Sequence, residues 1–247
     1  MMTKIEENWE HSPFEELFAN SVFFFQKALE KNDDENLYSR QAIINSVFAI
    51  EASANCCIST LNISKTFFGD IEMLRTLSKF EFYLSQIKPL TKFDRGHTSV
   101  QKVAELITLR HNYVHPKPTK VKGEFKTDNL DDGITRVYKV DNKNKQNTTK
   151  ISSLASDWEA ENAKTTMTTL LDFYAYFFID LCSFDLETVS SILCTKNQLK
   201  DGTKHWVISD ELKRAFSILE NHKLIKRQFM KVPVGECDIL FVQEVEE

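Results

Sequence analysis

The sequence predicts a mainly α protein, an antiparallel bundle of four to five long helices with a small α+β lobe at its C-terminal end. Three observations carry this. Apolar residues recur at the spacing of helix faces through most of the first 184 positions. Nineteen phenylalanines stand against only six glycines and five prolines, which favours long helices with few tight turns. Beyond that point the segments shorten and begin to alternate. The expected division is a bundle over residues 1–184, with a hairpin or loop excursion at about 117–156, and a helix-plus-hairpin lobe over residues 185–247.

Each element has its own signal. Ser12-Pro13 reads as an N-cap followed by proline at the first helical position, opening "FEELFANSVFFFQKALEK". There Phe14, Leu17, Phe18, Ser21, Phe24, Phe25 and Ala28 mark one buried face. The polar "NDDEN" ends it, and a longer helix runs from about Leu37 to Leu61. Its stretch "SVFAIEASANCCI" is apolar almost all round, which predicts a central helix. Asp70 reads as the cap of a third helix, "IEMLRTLSKFEFYLSQI", ending before Pro89. A fourth spans roughly Ser99 to Val114.

After Pro118 the pattern changes. "VKGEFKTDNLDDGITRVYKV" alternates on both sides of a turn-rich centre, as a hairpin does, and "DNKNKQNTTK" reads as a polar, mobile tract. A long helix resumes near Asp157 and continues to about Cys182. The phenylalanines at 23–25 and 173–178 continue the helical period and belong to the core rather than to base-stacking platforms. In the last part, "DLETVSSIL" and "SDELKRAFSILENH" are amphipathic helices, while "LIKRQFMKVP" and "CDILFVQEVEE" alternate like a hairpin around Val234-Gly235. Helices followed by a ribbon also suit a winged-helix DNA reader using Lys213, Arg214, Lys223, Lys226 and Arg227. A purely structural lobe is the preferred reading.

Composition narrows the function classes. Of 247 residues, 42% are hydrophobic and 27% charged, an ordinary soluble mix. Lys+Arg of 31 against Asp+Glu of 36 gives a net charge of −5, so no global basic field draws nucleic acid and any such contact must be local. Five cysteines, two of them adjacent at Cys56 and Cys57 and none in a CxxC pair, read as reduced thiols rather than disulfides or a zinc knuckle. The first residues are acidic and lack the apolar core of a signal peptide. The apolar window "FYAYFFIDLCSF" is too short to span a bilayer and contains Asp180. The expectation is a cytoplasmic protein without membrane association.

One stretch stands out. "ITLRHNYVHPKP" places an arginine, two histidines and a proline at the end of an apolar helical run. Pro116 disfavours the α conformation at His115, so the helix should stop there. Its C-terminal partial charge favours an imidazolium. Five helical positions separate Arg110 from His115 by roughly 140°, so they meet either at the frayed helix end or across a dimer axis. An arginine that holds a phosphate and a histidine that moves a proton suit metal-independent RNA cleavage. Asn112, three residues before His115, also faces it on a helix. The competing reading is a capping pair, with His115 on helix-end carbonyls and Arg110 paired to a carboxylate such as Glu51.

The segment "RHNYVH" resembles the Arg-x4-6-His signature of the HEPN superfamily, including a polar residue directly after the arginine, here His111. The likeness covers roughly residues 12–183: a helical chain with the motif late in one long helix, Glu51 of "FAIEASAN" in an earlier one, and the "SKFEFYL" helix between. It implies a dimeric, metal-independent endoribonuclease of a toxin–antitoxin or antiviral defence system, with both motifs at one interface cleft. RNA and a homodimeric second copy are the implied partners, with an antitoxin or regulatory protein as a third, and no cofactor is implied. It further implies Arg110 and His115 as catalytic, His111 as a supporting group, and Glu51 orienting Arg110. Other members have lost catalysis and serve as binding bundles for a protein or nucleotide.

His111 and His115 have the spacing of two zinc ligands on one helical turn. However, Asn112 replaces the glutamate of HExxH, and His97 lies about twenty ångströms away along the helix, so no metal is expected. "KPTKVKGEFK" follows the motif with four lysines against one glutamate, which makes Lys117, Lys120 and Lys122 candidate local RNA contacts or simply a solvated face.

Overall fold

A computed structural model describes residues 8–30, 33–118, 120, 123–129, 135–142, 144–198 and 204–232. Among these residues the chain is mainly helical, with eight α-helices, a three-stranded antiparallel sheet and a separate two-stranded hairpin. Helix α1 (Pro13–Leu29) starts where Ser12-Pro13 predicts and buries Phe14, Phe18, Ser21, Phe25 and Ala28. The Ser12 side chain does not cap it, because its hydroxyl donates instead to the Leu193 carbonyl at 2.5 Å. Helix α2 (Glu35–Ser59) is the central element, touching α1 along its length and four other helices besides. By length and composition alone it could cross a membrane, but 72% of its apolar window is buried inside the fold. It is the core helix.

The third expected helix is two. Ser64, not Asp70, opens α3 (Lys65–Glu72) by accepting the Phe67 N–H at 3.3 Å, and Asp70 lies within that helix. The chain breaks at residues 73–75 before α4 (Thr76–Ile87). Helix α5 (Thr98–Val114) follows, capped by His97, whose Nδ1 accepts the Ser99 N–H at 3.3 Å.

The strand signals after Pro118 correspond to β2 (Gly123–Asn129) and β3 (Thr135–Asn142), an antiparallel pair with a bulge at Glu124/Phe125, while β1 (Asn8–Glu10) belongs to the other sheet. Residues 144–150, expected to be mobile, are tied down. The Glu105 carboxylate accepts the Thr148 N–H at 2.7 Å and both the N–H and hydroxyl of Thr149 at 2.8 and 2.9 Å. Burial alone would raise the Glu105 carboxyl, but these hydrogen bonds outweigh it and hold its pKa below the ordinary value. Helix α6 (Ala160–Tyr174) then widens into a π-helix over Ala175–Leu181, rather than continuing as one α-helix to Cys182. That turn delivers Phe177 and Phe178 into the core with Phe173 and Tyr174.

The C-terminal part departs most from expectation. Between α7 (Leu186–Leu193) and α8 (Asp210–Asn221) lie β4 (Thr195–Gln198) and β5 (Lys204–Val207), and β1 completes the sheet in the order β1-β4-β5. The expected late hairpin is absent from its described half. Residues 224–232 hold no strand; Phe229 and Met230 are fully buried, and Lys231 donates its N–H to Ser190 Oγ at 2.9 Å. Its other half, with Val234-Gly235, lies outside the described residues. Helix α8 lays Leu212, Ala215, Phe216 and Leu219 inward, in contact with α1. Phe18 stacks on Phe216 with ring centroids 5.6 Å apart, and Tyr174 meets Phe229 at 5.0 Å. Lys213, Arg214 and Arg227 pair with Asp210, Glu211 and Asp180. Lys223 and Lys226 are exposed, but a helix packed inward does not suit a DNA reader.

Glu15 fastens this part to α1. It is buried in the helix's first turn, and its two carboxylate oxygens accept the N–H groups of Thr195 (2.9 Å) and Ser209 (3.1 Å). Those donors open β4 and cap α8. Replacing Glu15 with Ala strands both, so unfolding free energy should fall by about 2–4 kcal/mol. The urea midpoint measures it, and the exposed neighbour Glu16→Ala should change stability by less than about 0.5 kcal/mol.

Candidate functional site

Helix α5 buries Val100, Val103, Leu106 and Leu109 on its inner face, and its last turn leaves that cover. Residues 111–118 are exposed. His115 ends the helix as the proline after it requires: it is the C-cap, at φ −118° and ψ 65°, with its N–H on the His111 carbonyl at 2.9 Å.

Arg110 turns towards α2. Its guanidinium lies 4.8 Å from the centre of the Phe48 ring, and Nη2 stands 3.5 Å from Glu51 Oε2. Phe48 and Glu51 are three residues apart on α2, so one helical turn supplies both a ring face and a carboxylate. With side chains 26% and 41% exposed, the ion pair contributes under about 1 kcal/mol. The ring contact adds a similar amount. These contacts set the posture of the arginine more than they hold the fold. Arg110 Nε is buried and makes no hydrogen bond to a described residue.

The histidines face elsewhere. His111 and His115 line an open cleft of about 610 Å³ together with Asn112 and Lys117, against a wall that includes Ser153 and Trp158. Their ring centroids are 5.0 Å apart and tilted by 54°. Trp158 is buried, donates Nε1–H to the Ser152 carbonyl at 2.7 Å, and stacks on Tyr113 at 5.9 Å. Neither Arg110 nor Glu51 lines this cleft.

The predicted residues therefore gather in two sets at one helix end. Arg110 and Glu51 form the first; His111, Asn112, His115 and Lys117 form the second. Lys120 is exposed and its carbonyl accepts Asn144 Nδ2–H at 3.5 Å, whereas Lys122 lies outside the described residues. Phe48, Tyr113 and Trp158 were not anticipated. Phe48 was findable from its spacing to Glu51, but nothing local to Trp158 announces that it backs the motif.

Other chemistry is thinly supplied. No group of three or more His, Cys, Asp or Glu suits a metal ion among the described residues. Cys56, Cys57, Cys182 and Cys194 are free and buried, and burial pushes their thiols up, Cys182 to about 12, away from thiolate chemistry.

Glu51→Gln should change unfolding free energy by less than about 1 kcal/mol. Trp158→Ala, which empties a packed site, should cost about 3–5 kcal/mol. Urea unfolding separates the two, and a large loss on Glu51→Gln would mean that the pair holds the fold rather than the arginine. No protein-family model, curated protein or solved structure matches this chain.

Proposed function

We propose that the chain is a HEPN-like, metal-independent endoribonuclease that works as a homodimer on single-stranded or looped RNA. The observation that carries this reading is the end of α5, where two exposed histidines line an open cleft and Arg110, outside that cleft, is oriented towards α2 by Glu51 and Phe48. In this reading the long helices form the antiparallel bundle of that superfamily. The protein acts in the cytoplasm, in a toxin–antitoxin or antiviral defence system restrained by a protein partner.

The chemistry follows from the side chains. His115 takes the proton of a ribose 2′-hydroxyl, and the oxygen attacks the adjacent phosphorus. Arg110 offsets charge on the pentacoordinate phosphorane. The bond to the 5′-oxygen breaks, and that oxygen leaves with a proton from a second acid, His111. The products are a 2′,3′-cyclic phosphate and a 5′-hydroxyl. Asn112 and Glu51 orient rather than react, and Lys117 and Lys120 attract the RNA backbone.

A second reading, a catalytically silent bundle that binds a protein or nucleotide, is favoured by one observation: within one chain Arg110 does not line the cleft of His115. A mixed RNA pool incubated with EDTA separates the two. Wild type should cleave it to cyclic-phosphate ends, and Arg110→Ala and His115→Ala should each lose at least about a hundredfold in rate. Absence of cleavage by folded wild type, or survival of cleavage in both variants, would overturn the ribonuclease.

A further inference from the structure

We propose that the cleft beside His115 is a nucleobase subsite, in which one unstacked base lies on the Tyr113 ring and belongs to the nucleotide whose 2′-hydroxyl attacks. Binding of the base stands on the cleft itself; its place relative to the cut rests on the function proposed above.

The aromatic wall is left open where the core is closed. Phe173, Phe177 and Phe178, which serve only packing, are fully buried. Tyr113 lines the cleft and is 38% exposed, although Trp158 covers one of its faces at 5.9 Å and 28°. That leaves its other face and edge for a ligand. The ring is also held still, because Trp158 beneath it is buried and tied to the Ser152 carbonyl through Nε1–H. A base taken out of its stack in single-stranded or looped RNA finds an equivalent flat partner on such a ring. Pro116, Leu154 and Ala155 give the cleft further apolar lining, which suits a base better than bare phosphate.

Charge favours the rest of the nucleotide. The chain is net acidic at −5, yet no carboxylate side chain lines this cleft, whereas His111, His115 and Lys117 do. A polar, cation-bearing side next to an aromatic wall matches a ligand with an anionic end and a flat end. The volume of about 610 Å³ lies within the range of small-ligand sites. The place of the base follows from His115. The 2′-hydroxyl and the base sit on neighbouring carbons of one ribose, so a ribose at His115 directs its own base into the same cleft. The subsite therefore holds the nucleotide on the 5′ side of the cut, and Tyr113 is a positioning residue.

The test measures binding of adenosine 3′-monophosphate and of inorganic phosphate to the full chain by calorimetric titration. Wild type should bind the nucleotide at least about fivefold more tightly than phosphate, the lower end of what one stacked base supplies. Tyr113→Leu should lose at least about fivefold for the nucleotide and nothing for phosphate. Tyr113→Phe should bind as wild type does, and so should Phe67→Leu, which removes an exposed ring outside the cleft. Equal binding of nucleotide and phosphate by wild type, or of the nucleotide by wild type and Tyr113→Leu, overturns the subsite and leaves the ribonuclease reading untouched. In parallel, an RNA that wild type cuts is remade without the base on the 5′ side of the cut. Wild type should cleave it at least about fivefold more slowly than the intact RNA, and Tyr113→Leu should cleave both alike. Nucleotide binding that needs Tyr113 in a chain that cleaves no RNA upholds the base site but overturns its placement at a cut together with the proposed function.

Discussion

Helix α2 carries apolar residues on nearly every side, and covering them organises the chain. Ile43, Ile50, Ala54 and Cys57 are fully buried, and α1, α4, α5, α6 and α7 all lie against this one helix. At about 25 cal/mol per Å² of buried apolar surface, no other element of the fold has as much to lose by being left bare. The cover is incomplete along one stripe, which includes Gln41, Asn45, Phe48, Glu51 and Asn55, and Arg110 fits at Phe48 and Glu51. Its alkyl stem and planar head can lie on a ring while its charge meets a carboxylate at the rim. The arginine of the motif is therefore placed by the same packing that buries the core.

The histidines obey a different constraint. They sit where α5 runs out of neighbours and Pro116 ends the helix, so their rings face solvent and the Trp158 wall. One short stretch thus yields two faces: a cation pressed on α2 and a pair of imidazoles in a cleft. A single chain separates them, and in the proposed function the dimer axis brings them together.

How much of this the sequence reveals depends on how local each signal is. The Ser12-Pro13 start, the all-round apolar run of α2 and the stop at Pro116 are written within a few residues, and they match the observed elements closely. The pairing of Arg110 with Glu51 was among the readings the sequence left open, but Glu51 is 41% exposed, so it is a rim contact and not the answer to a buried charge. The strands β4 and β5 were not legible. "TKNQ" and "KHWV" have no alternation that marks a sheet; they pair with each other, and the distant β1 and Glu15 hold only β4, on its other edge and at its first N–H. Conversely, "LIKRQFMKVP" alternates convincingly, yet its Phe229 and Met230 are claimed by the core of Phe18 and Tyr174. The π-helical turn and the Trp158 wall likewise answer to distant packing, which no short window encodes.

In the proposed function Arg110 of one copy and His115 of another complete one site. The decisive measurement is RNA cleavage by a mixed dimer, purified through two different tags, of one Arg110→Ala chain and one His115→Ala chain. A composite site leaves one of two centres intact, so the mixed dimer should recover about half of wild-type cleavage while both parent dimers stay inactive. A mixed dimer as inactive as its parents would contradict the account and confine any chemistry to a single chain.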